Sequence, residues 1–239
     1  DENGDGRIDL SDVEYLMRNK KNTMTLLEGD GDFRSPECVE LLKEADIVVT
    51  NPPFSLFRDY VALLMQYNKQ FAIIGNQNAI TYREIFPLIK SNKIWLGYNN
   101  GHYWFMVPDS YEEKKTDFKI DESGQKWRRM GNICWFTNLD IEKRHENMTL
   151  FRTYSPDNYP KYDNYDAIEV SKTADIPCDY DGYMGVPITF MQYYNPEQFE
   201  IAGLDDHRVE WVGHGPRLNG KVKYRRVIIR RKQVNTNEN

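Results

Sequence analysis

The chain has 239 residues, a net charge of -6, and 40% hydrophobic and 13% aromatic residues, enough to bury one core, or one core and a smaller lobe. No apolar run approaches the roughly 20 residues of a membrane span, and the acidic start is unlike a signal peptide, so we expect no membrane contact. Three widely spaced cysteines fit neither a disulfide framework nor a zinc ribbon and indicate a reducing cytoplasm.

Residues 1–12 match the pattern of a calcium-binding loop. Asp1, Asn3 and Asp5 stand at the oxygen-donating positions one, three and five, and Gly6 follows where the loop turns. Position twelve is Asp12 instead of the usual bidentate Glu, so the alternative is a plain loop that starts a helix. The pattern predicts a calcium site at Asp1, Asn3 and Asp5 with that alternative open.

The next part of the chain alternates between helix and strand signals. Ser35 and Pro36 have the residue types of a helix N-cap and first helical position, and the β-branched run up to Thr50 predicts a strand buried on both faces. The predicted order is helix 35–44, strand 45–50, helix 56–67, strand 71–75, helix 81–90 and strand 93–97. This α/β order predicts a parallel sheet, whose ligands bind at the carboxyl ends of the strands, where Asn51 lies.

After about Gly97 the pattern changes to short aromatic-rich segments between turn residues, which predicts a partly antiparallel portion. We therefore expect one domain over 1–97, a second portion over 98–232 and a frayed tail over 233–239. Asn219-Gly220 predicts a hairpin. The strand after it carries Lys221, Lys223, Arg225 and Arg226, which could track phosphates, with a solvated edge strand as the alternative.

The turn Asn51-Pro52-Pro53-Phe54 is the best candidate for chemistry. A side-chain amide oxygen from Asn51 and a backbone carbonyl from Pro52 can each accept one N–H of a planar amine, which favours the positive charge that develops on nitrogen during group transfer. The prolines fix the backbone, and Phe54 offers a flat surface for stacking a base. The alternative is a turn that merely joins a strand to a helix.

At this turn the sequence resembles the amino-methyltransferases that use S-adenosylmethionine, whose signature is Asn or Asp, two prolines and an aromatic residue. More narrowly, it resembles the EcoRI-type adenine-specific DNA methyltransferases. That likeness is carried by the segments 29–37, 51–57, 74–80, 131–137 and 167–170.

The resemblance implies a Rossmann-like methyltransferase sheet that is incomplete at its N-terminus. The aromatic-rich, partly antiparallel portion follows this sheet in the chain, at the C-terminal side. The resemblance also implies that Asp32 and Phe33 contact the adenine of S-adenosylmethionine; the alternative is that Asp32 caps a turn while Phe33 is core. The family's glycine-rich donor loop should precede Asp32, and neither Gly4-Asp5-Gly6 nor Gly29-Asp30-Gly31 follows a buried strand. We therefore expect the chain to be a fragment, or its partner half to lie elsewhere.

The implied function is N6-methylation of a flipped adenine in double-stranded DNA, as part of a restriction-modification system, with S-adenosylmethionine as cofactor. Residues 1–97 would then belong to the catalytic domain and 98–232 would hold the remaining sheet and the target-recognition portion. Two alternatives stay open. One is methylation of another planar amine, such as an RNA base or a glutamine amide, and the other is an inactive fragment that binds nucleic acid or calcium.

Overall fold

The computed structural model describes residues 4, 6, 11, 14, 15, 18, 26–204 and 215–232, without the side chains of 99–102. The chain divides into two compact units, Asp1–Ala45 and Asp46–Asn239. No helix in the described residues is both long enough and apolar enough to cross a membrane.

The first unit contains helix α1, Pro36–Glu44. The Ser35 hydroxyl accepts the backbone N–H of Cys38 at 3.2 Å, and Pro36 occupies the first turn, where its missing N–H costs no helical hydrogen bond. Both features confirm the predicted start of this helix.

A mixed sheet forms the first half of the second unit. Its strands are β1 (Ile47–Thr50), β2 (Gln70–Asn76), β3 (Trp95–Met106), β4 (Phe118–Ile120) and β5 (Lys126–Thr137). The order is β1-β2-β5-β3, with β4 also beside β5. β1 and β2 pair in parallel, as predicted, whereas β5 pairs antiparallel with both β2 and β3. β3 therefore runs in the direction of β2 but is separated from it by β5.

Two helices follow the first two strands. Helix α2, Phe57–Gln66, joins β1 to β2 and buries Phe57, Val61 and Leu64. Helix α3, Phe86–Lys90, has only five residues, so the predicted helical start at Thr81 was wrong. Residues Gln77–Thr81 instead form a 3-10 helix, and the N–H groups of Ile85 and Phe86 donate to Tyr82 O, forming the turn that precedes α3.

Strand β1 is not buried on both faces, contrary to the prediction. The exposed fractions of Ile47 and Val49 are 47% and 66%, while Val48 and Thr50 are half-buried. Successive side chains of a strand point to opposite faces, and β1 is the terminal strand of the described sheet. One of its faces therefore remains uncovered despite its apolar composition.

A second sheet follows along the chain. Its strands are β6 (Ile168–Glu169), β7 (Met184–Val186), β8 (Phe199–Leu204) and β11 (Val227–Arg231), in the order β6-β7-β11-β8. Its core is apolar and includes Ile168, Met184, Val186, Phe190, Phe199, Val227 and Ile228. Between β8 and β11 lies the hairpin of β9 (Arg217–Leu218) and β10 (Lys221–Val222).

The hairpin confirms the turn predicted from Asn219-Gly220. Both residues have positive φ, 52° and 75°, and Leu218 pairs with Lys221 across the turn. The prediction of one long basic strand after the Asn219-Gly220 turn was wrong. β10 ends at Val222, residues 223–226 belong to no strand, and β11 starts at Val227 in a different sheet.

Candidate active site

The Asn51-Pro52-Pro53-Phe54 turn lies at the carboxyl end of β1. Thr50, the last residue of β1, is in register with Ile73 of the parallel strand β2, so the ends of both strands share one edge of the sheet. Asn51 and Phe54 are exposed, whereas Pro52 is buried. The turn therefore presents a carboxamide and an aromatic ring to solvent at the edge where α/β sheets bind ligands.

The backbone of this turn is restrained on both sides. Pro52 and Pro53 each have a fixed φ, and Pro53 O accepts the N–H of Leu56 at 2.9 Å to begin a 3-10 helix over Phe54–Leu56. Helix α2 starts immediately afterwards with Phe57, which is buried. The exposed side chains of the turn thus stand on a fixed main chain.

Gly75 allows the start of α2 to pack tightly against the sheet. A Cβ at this position would lie 2.5 Å from the ring of Phe57 and 2.8 Å from that of Phe136. The rings of Phe57 and Phe136 contact each other with centroids 5.0 Å apart. The missing side chain of Gly75 therefore sets the depth at which Phe57, three residues after Phe54, is seated. The sequence placed Gly75 at the end of a predicted strand and in the segment 74–80 that carries the family resemblance, and it gave no sign of this packing role.

The end of β2 places a buried amide at the same edge. Asn76 Oδ1 accepts the N–H of Asn78 at 2.8 Å and caps the 3-10 helix Gln77–Thr81. The Gln77 side chain is buried, and its Nε2 finds no hydrogen-bond acceptor among the described residues. The sequence placed Gln77 in the segment 74–80 that carries the family resemblance, but it gave this side chain no role; a polar residue shortly after a predicted strand was the available signal.

Asp32 and Phe33, the predicted donor-contacting pair, are half-buried in the first unit. The Arg34 side chain donates to both Asp32 carboxylate oxygens, at 3.0 and 2.7 Å, and this lowers the pKa of Asp32 to about 2. The Arg34 guanidinium also lies 5.4 Å from the centroid of the Phe33 ring. The pair thus presents an ionised acceptor beside a flat ring.

The loop before this pair is held by the first turn of α1. The Glu37 carboxylate accepts the N–H groups of Glu28 and Gly29 at 2.9 and 3.1 Å. Asp30 Oδ1 accepts the N–H of Asp32, and Gly31 has φ +76°, a conformation that favours glycine. These contacts restrain the main chain on the approach to Asp32 and Phe33.

The four predicted phosphate-binding residues do not share one strand face. Lys221, Lys223 and Arg225 are exposed. Arg226 instead forms an ion pair with Glu169 at 2.6 Å, with side-chain exposures of only 11% and 4%. Burial alone raises the pKa of Glu169, but hydrogen bonds from Arg226 and Tyr162 outweigh it and lower the pKa overall. The Arg226 guanidinium is therefore paired with Glu169, and little of its side chain faces solvent.

Asp1, Asn3 and Asp5, the predicted calcium ligands, lie outside the described residues. Among the residues that are described, no group of three or more His, Cys, Asp or Glu side chains could hold a metal ion. Gly6, the sixth position of the predicted loop, has φ +83°. Calcium binding stays a prediction.

The fold and the turn define a class: an α/β protein whose candidate site lies where a parallel strand pair ends in Asn-Pro-Pro-Phe. The chain also matches the profile of a protein family described as "Adenine-specific methyltransferase EcoRI" over residues 1–232. It belongs to this family.

Three curated relatives have names that agree with this family. The chain is 51% identical to the Type II methyltransferase M.EcoRI of Escherichia coli over 86% of its own length. It is 42% identical to M.MgeORF184P of Mycoplasma genitalium over 92%, and 41% identical to M.MpnI of Mycoplasma pneumoniae over 87%. Both are also named Type II methyltransferases.

The chain is shorter than these relatives. Its match covers 64% of M.EcoRI, 75% of M.MgeORF184P and 70% of M.MpnI. No solved structure shows significant similarity to the chain.

Proposed function

We propose that this protein methylates the N6 amine of adenine in double-stranded DNA at specific sites, as part of a restriction-modification system. The observation that carries the proposal is the exposed Asn51 on a fixed turn, at the carboxyl end of a strand paired in parallel with its neighbour. Membership of the adenine-specific methyltransferase family and the names of the relatives support the same chemistry.

The catalytic contribution of the turn is to hold the amine and to stabilise charge. Asn51 Oδ1 and the Pro52 carbonyl accept the two N–H groups of the adenine amine, which directs the nitrogen lone pair out of the ring plane. These acceptors also stabilise the positive charge that grows on nitrogen, so the step needs no strong base. Phe54, 41% exposed, stacks on the base.

S-adenosylmethionine is the cofactor under this proposal, and when bound it supplies an electrophilic methyl group. The first unit offers chemistry that fits part of it: the ionised Asp32 accepts hydrogen bonds, and the Phe33 ring offers a surface for an adenine. Asp32 Oδ1 accepts both the backbone N–H and the Nε–H of Arg34, whereas Oδ2 accepts only Arg34 Nη2 among the described residues and keeps a second lone pair. We assign Asp32 and Phe33 to the adenosyl part.

The Rossmann-like character of the sheet also belongs to the proposal. β1, α2 and β2 form a strand-helix-strand unit with parallel strands, which is the repeating unit of such sheets. Strand β5, antiparallel between β2 and β3, makes the described sheet a mixed one. The candidate residue Asn51 lies at the strand end where that architecture binds ligands.

The phosphates of DNA require cations that are exposed to solvent. Lys221, Lys223 and Arg225 are exposed and lie close together in the chain, whereas Arg226 is half-buried and paired with the buried Glu169. The whole chain has a net charge of -6, which does not attract DNA. Phosphates therefore need a local basic surface of this kind to bind. We assign Lys221, Lys223 and Arg225 to contacts with the DNA backbone. Arg226 is not assigned to such a contact.

The proposal is tested by methyl transfer to defined acceptors. Purified full-length protein is incubated with methyl-labelled S-adenosylmethionine and with unmethylated duplex DNA, RNA or a protein mixture. We expect label only in DNA, as N6-methyladenine at a recurring sequence that is found by sequencing. Label in RNA or protein alone would contradict the proposal.

Substitution of Asn51 tests the site itself. We expect Asn51→Ala to lower kcat by about 100- to 1000-fold, the usual cost of losing one acceptor or donor that stabilises a transition state, with little change in S-adenosylmethionine affinity. Asn158→Ala, an exposed asparagine after β5, is the matched control and should keep wild-type turnover. Wild-type kcat in Asn51→Ala would remove Asn51 from the site.

A further inference from the structure

Tyr224 is the most exposed tyrosine among the large hydrophobic side chains of the described residues, at 89%. It lies in the segment 223–226, between the hairpin and β11, with Lys223 before it and Arg225 after it. The segment contains no acidic residue. An aromatic ring that is held in water forgoes the burial that usually stabilises it, so its position calls for a physical explanation.

The main chain around Tyr224 is fixed. The Arg226 guanidinium donates to the carbonyl groups of Tyr224 and Arg225, both at 3.3 Å, while it is paired with the buried Glu169. On the other side, the N–H of Lys223 donates to Pro216 O at 2.7 Å. The exposed ring therefore projects from a backbone that is held by a buried ion pair.

A second contact places this segment near the candidate active site. Arg225 Nη1 donates to Thr81 Oγ1 at 3.1 Å, and Thr81 ends the 3-10 helix that follows β2. That helix starts at the carboxyl end of β2, on the edge of the sheet where β1 ends before Asn51. The segment from Lys223 to Arg226 thus contacts the 3-10 helix that begins at the edge of the sheet where the Asn51 turn lies.

Duplex DNA is the partner that this arrangement fits. An adenine that reaches Asn51 must leave the base stack, which leaves its neighbours with an uncovered face. An exposed aromatic ring on a restrained main chain can cover that face, since stacking of one base on an aromatic side chain is sequence-tolerant and favourable. The cations of Lys223 and Arg225, directly before and after Tyr224 in the chain, complement the phosphates that flank the extruded nucleotide.

We propose that Tyr224 stacks on the DNA bases exposed when the target adenine is extruded, with Lys223 and Arg225 on the neighbouring phosphates. The inference rests on the proposed function, because it requires a flipped adenine at Asn51. It adds a positioning residue that neither the turn nor the family resemblance identifies.

The experiment compares two DNA substrates that differ only in the cost of extruding the target. One is a fully paired duplex with the sequence that the wild-type protein methylates, and the other has an abasic site opposite the target adenine. Tyr224→Ala should lower kcat/KM on the paired duplex by roughly 10- to 100-fold, the loss of one stacking contact. On the abasic duplex it should remain within about threefold of the wild type, because extrusion is already easy.

Two further variants separate stacking from other roles. Tyr224→Phe keeps the ring and should retain wild-type rates on both duplexes. Tyr193→Ala removes another exposed tyrosine, 51% exposed in a cleft beside Lys143 and Met148, and should also leave both rates unchanged. An equal loss on both duplexes in Tyr224→Ala, or no loss on either, would overturn the inference. If the wild-type protein methylates no duplex sequence at all, the proposed function itself fails.

Discussion

The Glu169 carboxylate and the Arg226 guanidinium are joined by two hydrogen bonds, of 2.6 and 3.1 Å, and both side chains are largely withdrawn from solvent. Glu169 also accepts hydrogen bonds from Tyr162 and from Ser171. The pair connects β6 to the start of β11 and fixes the segment that carries Tyr224. This ion pair thus restrains the main chain of the exposed basic segment.

Removal of one partner should destabilise the fold. We expect Arg226→Met to lower the free energy of unfolding by about 3 to 5 kcal/mol, because it leaves the Glu169 carboxylate buried without its cation. Urea denaturation measures this change. Arg58→Met is the matched control, since Arg58 and Glu84 form a solvent-exposed pair at 3.9 Å, and should cost less than about 1 kcal/mol. A weaker affinity for DNA at unchanged stability in Arg226→Met would restore the original phosphate-binding interpretation.

Gly75→Ala should displace Phe57 and with it the start of α2. The added methyl group would lie 2.5 Å from the Phe57 ring, so we expect a loss of about 1 to 3 kcal/mol in stability and a lower rate of methyl transfer. Gly203, in β8, is the control position, because a methyl group added there would meet no atom of the described residues within 4 Å beyond its chain neighbours. Equal effects of Gly75→Ala and Gly203→Ala on thermal unfolding would show that close packing at Gly75 is unimportant.

Gln77→Met should stabilise the protein by about 1 kcal/mol, because it removes a buried N–H group that has no partner among the described residues and keeps an unbranched side chain. Gln198 provides the opposite case, since its amide binds both the N–H and the carbonyl of Met148 at 2.8 Å. Gln198→Met should therefore destabilise. Chemical denaturation of both variants tests the contrast, and a destabilised Gln77→Met would mean that the Gln77 amide is satisfied in solution.

The three cysteines should differ in reactivity. Burial raises the pKa of Cys134 to about 12, so at pH 8 its thiol stays protonated in the folded protein. Iodoacetamide should modify the half-buried Cys38 and Cys178 first and Cys134 only after unfolding, as read by mass spectrometry. Because an unfolded thiol ionises near pH 8.5, the Cys134 contribution to stability should decline as the pH rises from there towards about 12. Rapid labelling of Cys134 by iodoacetamide in the native state would contradict the predicted order of reactivity.

Local features of the fold could be predicted from the sequence because neighbouring residues determine them. Ser35 and Pro36 start α1 through contacts within one turn, and Asn219-Gly220 closes a hairpin because both residues tolerate positive φ. The Asn51 turn was located in the same way, since a β-branched run followed by two prolines predicts a strand end.

The tertiary structure alone decided what depends on residues far apart in the chain. Glu169 and Arg226 are 57 residues apart, and only the second sheet brings them together and withdraws Arg226 from the surface. β5 takes its place beside β2 through long-range pairing, which no local pattern specifies. Arg225 reaches Thr81, 144 residues earlier, and so links the basic segment to the edge of the sheet that carries Asn51. Adjacent residues determine local backbone preferences, whereas side-chain burial and strand pairing depend on which segments, distant in sequence, come into contact.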